Sequence, residues 1–225
     1  MLLAIDTATH YSSLALHNGK TLLAENTWST TTPNHTVELA PTVQTLLARC
    51  DATLHDLTAL AVSKGPGSYT GLRIGIAFAK GVASARKLPL VGISSLDILA
   101  LGHPQATGGL IAVVQAGRGR VIAASYQWRK GRWKARNAPL LMTWETLIAS
   151  VDGPATLTGE INDAGFAALE DAQARGLPIT ISAPNLRLRR AGALAEEAWA
   201  LLRAGTGDYD AAKLVPIYVK TKDLP

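Results

Sequence analysis

The residues best suited to chemistry lie in a glycine-rich loop from Ser63 to Gly71, which follows one apolar run and precedes another. Glycines let the backbone adopt positive φ and approach another group closely. A helix N-terminus behind such a loop presents free N–H donors and the positive end of a dipole, which suits an anion. The loop therefore predicts either a phosphate cradle or a tight turn that shapes packing and an interface, and the spacing alone leaves both open.

A second polar cluster, Asp6-Thr7-Ala8-Thr9, directly follows the first apolar run. A carboxylate and hydroxyls at the end of a strand can hold a metal-bound phosphate, and the same residue types are common in an ordinary turn. Together the two segments supply the candidate nucleotide-binding residues, which are Asp6, Thr7, Gly65, Gly67 and Ser68.

Common nucleotide and metal motifs are missing from the sequence. There is no G-x-x-x-x-G-K-[ST] loop, and Gly65, Gly67 and Gly71 have one residue too many for the dinucleotide fingerprint. The five histidines never show the H-x-x-x-H spacing, and the single cysteine, Cys50, excludes a zinc site built from thiolates. The sequence thus predicts no metal site and no catalytic residues.

The helices and strands predicted around these loops indicate an α/β fold. An Asn18-Gly19 turn between alternating runs is typical of a hairpin, so the chain is expected to open with an antiparallel β-meander. A helix capped by Asn34 follows, and its apolar stripe contains Leu39 and Val43. The helix predicted at 72–86 is apolar nearly all round, so we expect it to be buried on most sides. Strands at 57–62 and 89–93 and a short helix from 95 to 101 complete this half.

A change of composition at residues 102–109 predicts a domain boundary. The second half also opens with a β-meander and then alternates helix and strand, so two related α/β domains are predicted, residues 1–102 and a smaller 103–225. Its predicted helices are 143–150, 162–175 and 187–203, and its predicted strands are 110–114, 121–128, 155–158, 179–182 and 215–219, with a further one at Trp133.

Composition narrows the class of protein. The 225 residues are 48% hydrophobic and carry a net charge of +5, which predicts a folded chain rather than a disordered one. No apolar run reaches the ~18–20 residues that cross a bilayer. The N-terminus lacks the basic region of a signal peptide, and one cysteine cannot form an internal disulfide, so we expect a cytoplasmic protein with no membrane contact.

Two groups of arginines leave alternatives open. Basic residues from Arg118 to Arg132, with Trp128 and Trp133 close to them in sequence, could face RNA or could belong to solvated hairpins. Arg187, Arg189 and Arg190 open a predicted helix, where positive charge opposes the dipole, so they either meet an acidic partner or are solvated.

Several of these motifs resemble the TsaB (YeaZ) family. The resemblance is strongest over Lys64–Gly75, with the sequence KGPGSYTGLRIG, and extends to Ile5–Thr9, Pro33–His35 and 92–96. It is looser at 115–121 and 215–219, where Gln115 replaces the usual acid; Ala8 likewise replaces a common serine. The resemblance implies an ASKHA fold, in which two related α/β domains each hold a mixed sheet with flanking helices, as in actin, Hsp70 and sugar kinases.

The resemblance also implies a function. Members of this family assist formation of threonylcarbamoyladenosine beside the anticodon of tRNA, as non-catalytic partners of TsaD, which carries paired metal-binding histidines, and of the ATPase TsaE. It implies no cofactor on the isolated chain, ATP or ADP in the assembled complex, contact with tRNA through that complex, and a homodimer when TsaD is absent. The alternative is an active ASKHA enzyme, either a small-molecule kinase or a peptidase. The implied partner interface comprises His35, Leu39, Val43, Leu72, Arg73, Gly75, Ile76 and Ala79.

Overall fold

The computed structural model describes residues 1–29 and 35–219, which form one five-stranded and one six-stranded sheet with helices packed on them. The strands are β1 (Leu2–Asp6), β2 (Tyr11–His17), β3 (Leu22–Ser29), β4 (Ala59–Ser63), β5 (Leu90–Ile93), β6 (Gly109–Gln115), β7 (Val121–Arg129), β8 (Arg132–Ala135), β9 (Leu140–Met142), β10 (Ala155–Gly159) and β11 (Ile179–Ile181). The helices are α1 (His35–Ala48), α2 (Tyr69–Arg86), α3 (Ser95–Leu101), α4 (Trp144–Ala149), α5 (Asp163–Ala174) and α6 (Ala191–Ala204). The predicted cap Asn34 lies outside the described residues.

The first sheet has the strand order β3-β2-β1-β4-β5. β1, β2 and β3 pair antiparallel, as the predicted meander requires, whereas β1, β4 and β5 pair parallel. Parallel neighbours need a crossover connection, and α1 and α2 supply these crossovers. The carboxyl ends of β1, β4 and β5 therefore meet at one edge, where Asp6 and the glycine-rich loop begin.

Alternation along the strands of this sheet creates two apolar faces. Leu3 and Ile5 of β1 join the core formed with α1 and α2, whereas Leu2 and Ala4 face the other way and join α6. Small residues dominate that second core on both sides, so α6 packs closely against the sheet. Its members include Ala15, Ala59, Ala61, Ala191, Ala195 and Ala198.

The second sheet repeats the topology of the first. Its order is β11-β10-β6-β7-β8, with antiparallel pairing among β6, β7 and β8 and parallel pairing of β6, β10 and β11. Helices α4 and α5 pack on one face around Trp144 and Leu169. The prediction of two related α/β halves with mixed sheets is confirmed.

Contacts divide the chain at different positions from the predicted 102/103 boundary. The first unit contains Met1–Ile98 together with Arg189–Ile217, and Leu99–Leu188 belongs to the second. The predicted division assigned 189–217 to the second domain. The physical reason for the difference is that α6 packs on the second face of the first sheet, against Leu2 and Ala4.

Four element predictions are corrected by the structure. Residues 215–219 form no strand, and α6 begins at Ala191 rather than 187. Helix α2 begins at Tyr69, capped by Ser68, three residues before its predicted start. That helix was expected to be buried on most sides, but it buries only one face, while Ala77, Gly81 and Ala85 are exposed. The short strand β9 had no signal in the sequence.

None of the helices in the described residues has the length and apolar character needed to cross a membrane.

Candidate functional site

The two predicted loops meet at the carboxyl edge of the parallel strands in the first unit, the usual position of a ligand site in such sheets. Asp6 ends β1 and the glycine-rich loop begins at Ser63, the last residue of β4. Ser95, which follows β5, donates its backbone N–H to the Gly65 carbonyl oxygen at 2.9 Å, and its hydroxyl lies 2.8 Å from that of Ser63. The structure therefore brings the candidate residues of both loops to one edge of the sheet.

The Asp6 carboxylate is paired with Arg189. Its Oδ1 atom accepts the backbone N–H of Ala8 at 2.8 Å, and its Oδ2 atom accepts Nε of Arg189 at 3.0 Å. The side chains of Arg189 and Asp6 are only 2% and 1% exposed. Arg189 also donates to the hydroxyl of Thr9 and to the carbonyl oxygen of Tyr11. The Asp6 carboxylate is therefore paired with an internal cation, and of the two alternatives for Asp6–Thr9 this pairing disfavours a metal-bound phosphate.

The glycines of the loop serve close packing. A Cβ atom at Gly67 would lie within 3.0 Å of the Ala8 carbonyl oxygen, and one at Gly75 within 3.0 Å of the Thr7 hydroxyl. The backbone N–H of Ser68 donates to that Ala8 carbonyl oxygen at 2.6 Å, and the Thr7 hydroxyl donates to the carbonyl oxygen of Gly71 at 2.7 Å. Of the two alternatives left open by the sequence, these contacts favour the tight turn over an open cradle.

The other side of the loop is held by residues far along the chain. The Lys64 carbonyl oxygen accepts the backbone N–H of Ile217 at 2.6 Å. Gly65 has a φ of +96°, and a Cβ there would meet the Ile217 carbonyl oxygen at 2.8 Å. The strand predicted at 215–219 therefore does not form. Residues 209–217, here called the strap, instead run without strand structure and contact the glycine-rich loop through Ile217.

Most of the predicted interface residues are part of the chain's own core. Leu39, Val43, Leu72, Ile76 and Ala79 are each at most 5% exposed, and Gly75 is buried against Thr7. Because the apolar stripe of a helix is buried first against its own sheet, these six positions leave little side-chain surface for a partner. Arg73 is exposed and stacks over the Tyr69 ring; the side chain of His35 lies outside the described residues.

The same two helices keep a different apolar surface open. On α2, Ile74, Phe78 and Val82 are half-buried, and Ala77, Gly81 and Ala85 beside them are exposed. We call these six residues the α2 stripe. On α1, Val37 is 64% exposed. Contiguous apolar surface of this kind marks an interaction site on soluble proteins.

Two of the three arginines that open the predicted last helix have acidic partners within the chain, whereas Arg187 lies over the Phe166 ring. Besides Arg189 with Asp6, Arg190 donates Nε to Glu25 at 2.8 Å. The other oxygen of Glu25 accepts the backbone N–H of Gly192 at 2.8 Å, so it also caps α6. A carboxylate at a helix N-terminus offsets the dipole that the arginines oppose.

Gln115 stands beside a buried carboxylate in the second unit. Its backbone N–H donates to Glu160 Oε2 at 3.1 Å and its side-chain amide donates to the Glu160 carbonyl oxygen at 3.3 Å. Glu160 is 8% exposed. An acid at position 115 would place a second negative charge next to Glu160, which accounts physically for the neutral residue here.

A serine–histidine pair that the sequence spacing did not reveal joins His103 and Ser182. Nε2 of His103 lies 2.8 Å from the Ser182 hydroxyl and Nδ1 lies 2.8 Å from the Pro104 carbonyl oxygen. Both side chains are buried, each 7% exposed, and Trp133 donates its indole N–H to the His103 carbonyl oxygen at 3.1 Å. The pair tethers the segment before β6 to the end of β11. Among the described residues, no group of three or more His, Cys, Asp or Glu could hold a metal ion.

Comparison with known proteins places this arrangement in a family. A family model described as "TsaD: tRNA N6-adenosine threonylcarbamoyltransferase" matches residues 21–155, more than half of the chain. The tRNA threonylcarbamoyladenosine biosynthesis protein TsaB of Bacillus subtilis is 35% identical over 162 residues, which cover 70% of each chain. The chain belongs to the TsaB (YeaZ) family.

Further TsaB relatives support this assignment. The Escherichia coli TsaB is 41% identical over 128 residues, 56% of this chain and 54% of that protein. The solved structure of YeaZ from Pseudomonas aeruginosa superposes with a TM-score of 0.78 at 26% identity, covering 97% of this chain and 99% of that one. The predicted ASKHA fold with two related α/β halves is therefore confirmed.

Proposed function

We propose that this chain acts in tRNA threonylcarbamoyladenosine biosynthesis as a non-catalytic partner of TsaD and TsaE. The observation that carries the proposal is the buried Asp6–Arg189 pair at the site where an active ASKHA enzyme would need a free carboxylate. The names of the TsaB relatives support the pathway. Because Asp6 already has a cation and a backbone donor, a Mg²⁺-bound phosphate would have to displace both.

The α2 stripe supports a role in binding a partner. Because the predicted interface residues are buried in the core, the proposed docking surface is the α2 stripe, in which Ile74, Phe78 and Val82 alternate with exposed small residues. The neighbouring Lys80 donates its Nζ to the Ala212 carbonyl oxygen at 3.3 Å, which holds its charge against the strap. We propose that TsaD binds this stripe, that a second copy of the chain takes its place when TsaD is absent, and that TsaE and tRNA join the assembled complex.

Co-purification with TsaD tests the proposal. The wild-type chain is expected to retain TsaD on an affinity column. Ala77→Arg, which puts a long charged side chain on the exposed stripe, is expected to abolish retention, because the charge would be buried unpaired in the interface. Ala204→Arg, at an exposed position of α6, is the matched control and should retain TsaD. Failure of the wild-type chain to retain TsaD, or equal retention by both variants, would contradict the proposal.

The alternative, an active small-molecule kinase or peptidase, is tested by nucleotide and peptide turnover. A peptidase would have the Ser182–His103 pair available, but that pair is buried and both ring nitrogens of His103 are engaged. We propose that the isolated chain binds no nucleotide and that ATP or ADP enters only with the assembled complex. Micromolar Mg-ATP binding with turnover in calorimetry would revive the kinase hypothesis.

A further inference from the structure

Charge is distributed very unequally along the chain. Residues 98–144 contain seven Lys and Arg and no Asp or Glu, whereas the remaining 178 residues contain 15 basic and 17 acidic side chains. Residues 98–144 therefore account for the whole net positive charge of the protein, because the net charge of the remaining residues is −2.

Five of these seven cations share one hairpin. Strands β7 and β8 join through Lys130 and Gly131, both with positive φ, and all five basic side chains from 129 to 136 are exposed. We call residues 129–136 the basic hairpin; its cations are Arg129, Lys130, Arg132, Lys134 and Arg136. Arg118 and Arg120 lie beyond the opposite end of β7, about 27 Å away along the strand at ~3.4 Å per residue. The basic residues from Arg118 to Arg132 therefore form two separate surfaces, one at each end of β7, and not a single one.

Strand pairing puts four of the cations on one face. Arg129 pairs with Arg132 and Gln127 with Lys134, and Arg136 continues the register by donating its backbone N–H to Ser125 at 2.8 Å. Side chains alternate along a strand, so Trp128 and Trp133 point to the opposite face, where their rings meet edge to face with centroids 5.3 Å apart. Helices α4 and α5 cover the cation-bearing face only as far as Val121 and Ala123.

Four cations of the basic hairpin lack an internal counter-charge. Like charges directly opposite destabilise a strand pair, and Arg129 stands opposite Arg132 with Lys130 in the turn between them. In the part of the chain that the structure describes, Arg129, Lys130, Lys134 and Arg136 form no ion pair. The strongly held arginines of the first unit do have carboxylate partners, Asp6 and Glu25. An external polyanion would supply what these four cations lack.

We propose that the cation face of the basic hairpin binds the phosphate backbone of RNA, with tRNA as the substrate class; the choice of tRNA rests on the proposed function. An acidic protein is the competing ligand. The face favours RNA because it carries only cations and the polar Ser125 and Gln127, and lacks the apolar centre typical of a protein interface. Both tryptophans lie on the other face, so the hairpin contacts phosphates rather than stacking on bases, which makes binding salt-dependent and insensitive to sequence.

The test measures the affinity of the full chain for an unmodified tRNA transcript by fluorescence anisotropy, between about 50 and 200 mM salt. The variant Lys134→Glu/Arg136→Glu reverses two charges on the face. We expect about tenfold or greater loss of affinity and a log–log salt slope smaller in magnitude by about two, because each phosphate contact contributes about one. The control Lys20→Glu/Arg49→Glu makes the same change in net charge on exposed residues of the first unit and should change affinity less than about twofold.

Three results would overturn the inference. They are unchanged tRNA affinity in the hairpin variant, equal losses in both variants, and loss of binding to an acidic partner protein with tRNA affinity intact. Thermal unfolding checks that the variants fold. If Lys134→Glu/Arg136→Glu does not fold, the affinity of Lys134→Gln/Arg136→Gln is measured in its place. Omitting the chain from a reconstituted tRNA modification reaction tests the proposed function separately, since that reaction can depend on the chain whether or not the hairpin binds RNA.

Discussion

Single residues decide what the carboxyl edge of the first sheet can do. Asp6 and Arg189 are separated by 183 positions and yet form a pair that is almost completely buried. Removing one partner of such a pair leaves an uncompensated buried charge, which is far more destabilising than loss of an exposed pair.

We therefore expect Arg189→Met to lower the free energy of unfolding by about 3–5 kcal/mol. Urea unfolding at neutral pH measures the loss. Arg175→Met is the matched control, because its i,i+4 partner Asp171 and its own side chain are both largely exposed, and it should change stability little. Similar small losses in the two variants would show that Asp6 does not depend on Arg189.

His17 gives the stability a defined pH dependence. Burial lowers the pKa of His17 from its ordinary value of 6.5, with Glu196 opposing and Arg203 reinforcing the shift. Its Nδ1 atom accepts the backbone N–H of Gly19 at 2.9 Å, which requires the unprotonated nitrogen. The unfolded chain then binds the proton more readily than the folded one, so the free energy of unfolding falls as pH drops below about 6.5.

The check on His17 is urea unfolding at a series of pH values for wild type and His17→Asn, which keeps an acceptor but does not titrate. The wild type should lose stability relative to the variant as the pH falls from about 7 towards 5, the range around the histidine pKa. Parallel pH curves for the two proteins would contradict the assignment.

At the scale of residues, the sequence singled out Asp6, Thr7 and the loop glycines because strand ends and glycine-rich loops are local signals. Nucleotide binding by these residues stays a prediction. Arg189 was interpreted as the start of a helix, since no local pattern shows that an arginine so distant in sequence will be buried against Asp6.

Helix α2 is the element that joins the core of the first unit to its proposed docking surface. Its inner face meets the strands through Gly75, where any side chain would collide with Thr7, and its outer face carries the α2 stripe. The same helix contains Gly81, where an added Cβ atom would have no neighbour within 4 Å.

These two glycines predict opposite effects of the same substitution. Gly75→Ala should destabilise the protein by about 1–3 kcal/mol, because the methyl group overpacks a rigid contact. Gly81→Ala should stabilise it by about 0.5–1 kcal/mol through helix propensity. Thermal unfolding of the two single variants is the measurement, and equal effects of either sign would contradict the packing described for α2.

Element boundaries were predictable where a local cap or turn marks them. Thr143 and Asn162 cap α4 and α5 as expected. The prediction failed at 187 and at 215–219, because tertiary contacts determine both. Arg189 lies outside the helix and pairs with Asp6, and Ile217 donates its backbone N–H to the Lys64 carbonyl oxygen instead of joining a sheet.

At the scale of the whole molecule, the two sheets share one five-strand order, to which the second adds β9 paired with β7. The strand order of the first recurs in the second, which is the feature that the loose sequence echo anticipated. The division of the chain could not be anticipated in the same way, because α6 follows the second unit in sequence but packs on the first.

The central claim is that this chain is required for tRNA threonylcarbamoyladenosine formation without performing the catalysis. Its most direct test is the yield of modified nucleoside, measured by mass spectrometry, from a reaction containing TsaD, TsaE, tRNA and the other substrates, with the chain present or omitted. We expect modification only when the chain is present and none from the chain without TsaD. Full modification in its absence, or modification by the chain alone, would contradict the account.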